Sequence, residues 1–195
     1  MNLKFDVNFE VWVQWLIDEI EGHKYTDREN DRGGKTKFGI TAGFYSDFFK
    51  EKENWIHDEM LDMPNHVYEL SYDQAKFIYR LAFWEKYKAA NLPVAVAWCL
   101  LDSCINHGNK NGVRLVQSAL GVVRDGIIGP ITQRAMFSVD DEFSFWRKFR
   151  AVRTKFYTDI IKDDITQLDN IGGWTNRMHV LGEGILINYF DRVKV

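Results

Sequence analysis

Residues 94–105 read VAVAWCLLDSCI, a stretch that is apolar on nearly every side of a helix. Pro93 precedes it at a position suited to a first helical turn, and a polar run, Asn-His-Gly-Asn, follows it at residues 106–109. A helix without a polar face is normally the buried centre of a helical protein, because a surface helix needs one side that water can solvate. This stretch therefore predicts a helical bundle around a buried central helix.

The rest of the chain is mainly helical in pattern. Helical periodicity or capping signals mark residues 9–20, a segment beginning at residue 71, residues 112–120, 132–137 and 143–161, and a last helix that follows a Gly-Gly-Trp segment and runs through residue 190. Residues 35–41 differ, since Thr36, Phe38 and Ile40 alternate with smaller or polar residues, as in half of a short hairpin. The expected fold class is mainly α with one small β-hairpin.

The bulk properties exclude several classes of function. A chain of 195 residues and 22.9 kDa suits one compact domain or two closely packed small ones. A formal net charge of -3 and a pI of about 6.0 argue against a nucleic-acid partner. No segment approaches the roughly 20 apolar residues that span a bilayer, so stable membrane insertion is not expected. The histidines and cysteines show no metal-ligand spacing, and neither a metal nor a cofactor is expected.

The cysteines and the N-terminus bear on the compartment. Cys99 and Cys104 fall on different faces of one predicted helix and out of disulfide reach, so we expect buried free thiols and synthesis in a reducing compartment. Residues 1–22 alternate apolar and acidic side chains and lack the basic start and apolar run of a secretory signal. The sequence thus predicts a protein made in the cytoplasm without a signal peptide.

The densest polar cluster follows the first predicted helix. Its members are Glu19, Glu21, Asp27, Glu29, Asp31 and Thr36, with Arg28, Arg32 and Lys35 between them. Hydrolysis of a glycosidic bond needs a carboxylic acid that protonates the leaving oxygen and a second polar group that activates water or stabilises positive charge. A glutamate at a helix end, beside a loop and a hairpin, can meet both needs. A charged loop is more often simply solvated, however, so composition alone leaves the function open.

Two motifs in this region resemble the signature of glycoside hydrolase family 108. Residues 21–25 read EGHKY and residues 31–41 read DRGGKTKFGIT. The family pattern is Glu-Gly-Gly-Tyr, a short Asp-rich loop, and then Gly-Gly-x-Thr-x-Tyr-Gly-Ile-Ser/Thr, so His23-Lys24 stands here where the family usually has one glycine. Later segments resemble the peptidoglycan-binding region that usually follows: LDSCINHG at 101–108, VQSALG at 116–121, DGIIGPIT at 125–132 and GGWTNR at 172–177.

This resemblance implies a lysozyme-like fold and N-acetylmuramidase activity on the β-1,4 bond from N-acetylmuramic acid to N-acetylglucosamine. Glu21 would be the general acid, with Glu19 the alternative because of the extra residue before Tyr25. Asp31 and Thr36 would position a water or stabilise positive charge, although Asp31 could equally cap the Gly-Gly turn. Asp27 is the reserve candidate for the second carboxylate.

Three further residues are candidates for binding substrate. Tyr25 would flank the cleft, or else pack locally. Asn106 could hydrogen-bond an acetamido group, although a cap at the end of the central helix is the simpler role. Trp174 could stack on a sugar, or else anchor the last helix.

The resemblance also implies an organisation and a biological role. Residues 1–90 would be the lysozyme-like catalytic region and residues 91–195 the helical peptidoglycan-binding region, packed as one compact unit. The expected protein is a monomeric endolysin of a phage, made in the host cytoplasm and released through a holin-made hole to act on peptidoglycan in the periplasm or cell wall. The alternatives are a non-catalytic peptidoglycan-binding module, and a muramidase or lytic transglycosylase that serves bacterial protein secretion.

Overall fold

The computed structural model describes residues 6–27, 34–50 and 62–193, with side chains up to residue 188. The chain divides into two compact units, Met1–Lys86 and Tyr87–Val195. The described elements of the first unit are helices α1 (Val7–Trp15), α2 (Ala42–Lys50) and α3 (Tyr72–Tyr79), and strands β1 (Thr36–Lys37) and β2 (Ile40–Thr41). Those of the second unit are helices α4 (Val94–His107), α5 (Asn109–Leu120), α6 (Pro130–Phe137), α7 (Glu142–Asp163) and α8 (Ile171–Val193).

The first unit is built on the buried face of α1. Asp6 caps this helix, because its Oδ1 accepts the backbone N–H groups of Asn8 and Phe9 at 3.0 and 3.2 Å. The same carboxylate accepts the indole N–H of Trp84 at 2.9 Å. Trp12 is fully buried between Trp84, at a ring-centroid distance of 5.5 Å, and Tyr79 of α3, at 6.2 Å. These large rings supply much of the apolar area that holds α1 in place.

The second unit is built around α4, as the sequence predicts. Every side chain from Val94 to Cys104 is buried, and α5, α7 and α8 all pack on this helix. The approach of α5 is especially close, since a β-carbon at Gly112 would come within 2.5 Å of the backbone nitrogen of Cys104. Both cysteines are free and buried. The mainly helical fold with a buried central helix and a small hairpin is therefore confirmed.

A buried ion cluster joins three helices of the second unit. Asp102 of α4 is fully buried and accepts hydrogen bonds from Arg153 of α7, itself fully buried, and from Arg177 of α8 at 2.8 Å. Burial alone raises the pKa of Asp102, but the charges of Arg177 and Arg153 outweigh it and hold this pKa below its usual value. The Arg177 of the Gly-Gly-Trp segment is thus an internal partner of α4. Removing one member of such a cluster leaves an uncompensated buried charge.

His107, the last residue of α4, lies beside this cluster. Its ring contacts Phe156 and Tyr157 at centroid distances of 5.0 and 5.5 Å, and its Nε2 is shielded from solvent. Burial, together with the charge of Arg153, lowers the pKa of His107 to about 3.

We expect the free energy of unfolding to fall as the pH drops from 7 to 5. His107 is neutral in the folded protein and takes up a proton on unfolding below pH 6.5, so this window costs about 2 kcal/mol of stability. Urea unfolding at the two pH values measures the difference, and His107→Phe should remove most of it. An equal loss in wild type and variant would contradict this origin.

The Asp-Gly-x-x-Gly-x-x-Thr segment folds around a buried amide. Gln117 of α5 is fully buried, and the two N–H groups of its Nε2 are shared among three acceptors: Asp125 Oδ1 at 2.7 Å, the Ile127 carbonyl at 3.0 Å and Thr132 Oγ1 at 3.1 Å. Its Oε1 accepts the Gly126 N–H at 2.8 Å. All the hydrogen-bonding groups of this side chain are used inside the loop, which gives the motif a structural role in the second unit.

The ends of the helices agree with the sequence predictions at some positions and differ at others. Helix α3 begins directly after residue 71 and α5 ends at residue 120, both as predicted, with Ser71 capping α3 in a reciprocal pair with Gln74 and Gly121 following α5. Gly108, with φ +78°, caps the end of α4, so the predicted cap at Asn106 is wrong. Helix α8 begins at Ile171, and the Gly-Gly-Trp segment forms its first turn instead of preceding it. None of the helices in the described ranges is long and apolar enough to cross a membrane.

Candidate active site

Glu21 lies at the end of a widened helical turn. After α1 the chain continues from Leu16 to Glu21 as a π-helical turn, in which the N–H of Gly22 bonds to the Ile17 carbonyl at 2.7 Å. Leu16 and Ile17 are fully buried and anchor this turn. Gly22 then leaves the helix with φ +75°, a value that glycine adopts without strain. Turns of this kind are frequent at functional sites, because one extra residue re-aims the side chains that follow.

The hairpin opposite Glu21 has a strained turn. β1 pairs with β2 in antiparallel register, Thr36 opposite Thr41 and Lys37 opposite Ile40. The two connecting residues, Phe38 and Gly39, have φ +52° and +76°, the arrangement of a type I′ turn. A bulky residue at positive φ is a genuine outlier and persists only where its surroundings hold it.

The surroundings of Phe38 supply that support. Its carbonyl accepts the hydroxyl of Tyr79, which is almost fully buried, at 2.8 Å. Its ring is buried against His23 and Tyr72, at centroid distances of 5.6 and 6.0 Å. His23 stacks on Tyr72 at 5.5 Å and donates to Asp18 Oδ1 at 2.8 Å. Through His23, the segment just after Glu21 therefore packs on the same aromatic residues as the hairpin turn.

The carboxyl group of Glu21 lies directly on Gly39. A β-carbon at Gly39 would be 2.5 Å from Cγ, Cδ and Oε2 of Glu21, so only a glycine admits this contact. Oε1 of Glu21 is shielded from solvent, whereas the whole residue is half-buried. Glu19, the alternative acid, is exposed. The structure thus brings together the helix end and the hairpin, which the sequence places 18 positions apart.

Thr36 lies on β1 of the same hairpin. Its hydroxyl donates to the Gly34 carbonyl at 3.0 Å, which leaves the oxygen available as an acceptor. Its backbone N–H and C=O both pair with Thr26, at 2.9 and 2.8 Å. Asp31, the candidate second carboxylate, lies outside the described residues. Asp27, the reserve candidate, is exposed, and its Oδ2 lies 3.9 Å from Lys35 Nζ.

Exposed aromatic rings adjoin the hairpin. Tyr25 is 39% exposed, donates to Asp27 Oδ2 at 3.4 Å and meets the Tyr68 ring edge-on at 6.1 Å. Tyr68 is 47% exposed and stacks on His66 at 5.2 Å, and its carbonyl accepts Lys37 Nζ of β1 at 2.8 Å. We call Tyr25, Tyr68 and His66 the ring platform. Tyr25 was predicted from the sequence, whereas Tyr68 and His66 were not, because no motif marks residues 65–69.

Two predicted substrate-binding residues belong to the second unit. Asn106 is in the last turn of α4, and its Nδ2 is buried without a hydrogen-bond partner among the described residues. Trp174 stacks on Tyr157 of α7 at 4.7 Å with nearly parallel rings, a contact that anchors the start of α8. Their roles toward substrate stay predictions. Within the described ranges, no three His, Cys, Asp or Glu side chains cluster in a way that could hold a metal ion.

Comparisons with known proteins identify the class. Residues 14–108 match the family described as "Glycosyl hydrolase 108", and residues 111–179 match the family described as "Predicted Peptidoglycan domain". The protein is a glycoside hydrolase of the N-acetylmuramidase type that acts on peptidoglycan. Its first region belongs to the glycosyl hydrolase 108 family, as the sequence motifs indicate.

A solved structure supports the same conclusion. The structure titled "Structure of Brucella abortus SagA" is 26% identical, with a TM-score of 0.70, and the match covers 91% of this chain and 94% of that one. A search of curated proteins found no match. The similarity to SagA extends over both units, so the pairing of the two regions is common to both proteins.

Proposed function

We propose that this protein hydrolyses the β-1,4 bond between N-acetylmuramic acid and N-acetylglucosamine, with Glu21 as the general acid. The observation that carries the proposal is the contact between the Glu21 carboxyl group and Gly39. It supports the proposal because a general acid must be held within hydrogen-bond reach of the leaving oxygen. The ring cluster around Phe38 holds the hairpin turn in position. Burial of Leu16 and Ile17 holds the π-helical turn, and with it Glu21, in position.

The second catalytic group is one of three candidates. Asp31 and Thr36 position a water or stabilise the oxocarbenium-like charge, and Asp27 is the reserve. The free acceptor capacity of the Thr36 hydroxyl suits it to orient a water. The carboxylate of Asp27 is exposed, and a carboxylate can stabilise positive charge on the sugar.

Product analysis tests the bond assignment. Purified peptidoglycan digested by the protein should release fragments with a reducing N-acetylmuramic acid end, identified by mass spectrometry after borohydride reduction. Reducing N-acetylglucosamine ends would identify a different bond and contradict the proposal. Fragments ending in 1,6-anhydro-muramic acid would identify a lytic transglycosylase, and the absence of new ends would identify a binding module.

The ring platform binds the glycan in this proposal. The platform adjoins the hairpin on which the Glu21 carboxyl group rests, and its exposed ring surface can pack on a sugar, since pyranose rings present apolar C–H faces. We expect Tyr68→Ala to raise KM for peptidoglycan roughly 2- to 10-fold with a smaller change in kcat, as loss of one stacking contact costs about 0.5–1.5 kcal/mol. Tyr68→Phe keeps the ring and is the matched control. A Tyr68→Ala enzyme with unaltered KM would contradict this role.

The second region holds the enzyme on its substrate. In this proposal the catalytic region is residues 1–90 and the binding region residues 91–195, where Asn106 and Trp174 contribute contacts to the wall. The chain acts as a monomeric endolysin of a phage, released from the host cytoplasm by a holin. Bacteria expressing the chain with and without a holin test this role, since lysis should require the holin. Export of the protein without lysis would favour the secretion-linked alternative.

A further inference from the structure

The second unit has a groove between α7 and α8 that the proposed catalytic site does not use. It has a volume of about 480 Å³. Its interior is apolar and includes Trp146, Tyr157 and Met178, whereas its rim includes Arg150, Thr154 and Thr175. An apolar interior with a few polar groups at the rim is the usual construction of a ligand-binding site.

The interior of the groove is held in place by close packing. A β-carbon at Gly182 of α8 would come within 2.7 Å of Trp146 Cζ2, so the backbone of α8 rests on the indole ring. Tyr157 is held on one side by Trp174 and accepts the Nε–H of Arg153 at 2.7 Å. The groove is therefore preformed, and a ligand would find it without rearrangement of the helices.

The rim offers acceptors from the threonines and a cation from Arg150. The hydroxyl of Thr154 donates to the Arg150 carbonyl at 2.9 Å, and that of Thr175 to the Ile171 carbonyl at 2.7 Å. Their protons are committed to the helix backbone, so both oxygens can accept an N–H from a ligand. Arg150 is exposed and can pair with a carboxylate through two parallel hydrogen bonds.

The exposed charges of α7 beside the groove are mainly positive. The exposed cations of α7 are Arg147, Lys148, Arg150, Lys155 and Lys162, in a chain whose formal net charge is -3. One acid of α7, Asp159, is paired with Lys155. On the α8 rim, Glu183 faces His179 at 3.4 Å. Among these cations Arg150 lines the groove, whereas the other four lie on the adjoining face of α7. Arg150 is therefore the residue that can bind an anionic group of a ligand in the groove.

We propose that this groove binds the peptide stem of peptidoglycan, with Arg150 on a stem carboxylate and Thr154 and Thr175 accepting peptide N–H groups. The proposal rests on peptidoglycan being the substrate, as proposed above. A peptide fits better than a sugar, because Trp146 and Tyr157 are 6% and 3% exposed and offer no open ring face for stacking. Small apolar side chains of a stem, such as alanine methyl groups, suit the interior instead.

Binding of a defined muropeptide to the full-length protein tests the proposal. The probe is N-acetylglucosaminyl-N-acetylmuramyl tripeptide, which contains no bond from muramic acid to N-acetylglucosamine and so survives the enzyme. In NMR titrations it should shift the indole N–H signal of Trp146, assigned with Trp146→Phe, and the same disaccharide without its peptide should not. An equal shift with the disaccharide alone would overturn the assignment to a peptide.

Two charge reversals on α7 distinguish binding in the groove from nonspecific electrostatic attraction to the helix. Arg150→Glu should weaken muropeptide binding at least 10-fold in calorimetry. Lys162→Glu makes the same charge change about 18 Å further along α7, outside the groove lining. It should weaken binding less than about 3-fold, since salt screens charges beyond roughly 8–10 Å. Equal effects, or none, would overturn the proposal. Because binding is measured without turnover, a protein that binds through Arg150 but cleaves no peptidoglycan would refute the proposed function alone.

Discussion

Glu21→Gln should lower the rate at which peptidoglycan releases reducing ends by about 10²- to 10⁴-fold, the usual contribution of a general acid. The amide keeps the shape of the carboxyl group and its contact with Gly39 but cannot protonate a leaving oxygen. The fold should be unaffected, which circular dichroism and thermal unfolding of the variant can verify. The loss should therefore appear in kcat, with peptidoglycan still bound.

Glu19→Gln is the matched control for this experiment. It removes the same charge two positions earlier from an exposed side chain, and activity should stay within a factor of about two of wild type. If Glu19→Gln lost activity and Glu21→Gln kept it, Glu19 would be the acid. If both variants cleaved peptidoglycan at the wild-type rate, neither residue would be the general acid.

Gly39→Ala has the second large expected effect. Its β-carbon would fall 2.5 Å from three atoms of the Glu21 side chain, so the carboxyl group must move away from the hairpin. A displacement of about 1 Å in a catalytic group can cost 10²-fold in rate, and we expect a loss of that size in kcat on peptidoglycan. The positive φ of this position adds about 1–2 kcal/mol of strain for any residue with a β-carbon.

Gly34→Ala is the control that distinguishes backbone strain at positive φ from the steric clash with Glu21. Gly34 also has a positive φ, +60°, but a β-carbon there would meet no atom of the described residues within 4 Å. The two variants should thus be destabilised to a similar degree in thermal unfolding, while only Gly39→Ala loses most of its activity. Full activity in Gly39→Ala would show that the position of Glu21 against the hairpin is not needed for catalysis.

Much of the fold could be predicted because its signals are local. The apolar run of α4, the Ser71 cap of α3 and the glycine that ends α5 depend on residues close together in the chain. A small hairpin was predicted from alternation in residues 35–41, but the prediction that these residues form only one of its strands was wrong. Both strands and the turn lie within residues 36–41, because Phe38 adopts a positive φ that is unusual for phenylalanine. The misplaced cap at Asn106 has a similar cause: Asn and Gly both end helices, and only the backbone shows that Gly108 does so here.

Much less of the site could be predicted. The motifs indicated Glu21, Thr36 and Tyr25 as candidates, but they carried no information on which side chains meet. The contact of Glu21 with Gly39, the support of Phe38 by Tyr79, and the addition of Tyr68 to the ring platform all join distant residues. The apolar spacing of residues 16–21 also suits an ordinary α-helix, so the π-helical turn that aims Glu21 had no sequence signal.

The amino-acid sequence alone thus specified most of the helices, the cap at Ser71, the presence of a hairpin and the family, because hydrogen bonding and amphipathic patterning act over a few neighbouring residues. The tertiary structure decided where the Glu21 carboxyl group rests and that Arg177 pairs with Asp102. It also decided that α7 and α8 leave a groove between them. Those features depend on packing between segments far apart in the chain. Gly39 allows the close approach of Glu21, and Gly182 that of Trp146, and neither pair of neighbours can be read from the sequence near the glycine.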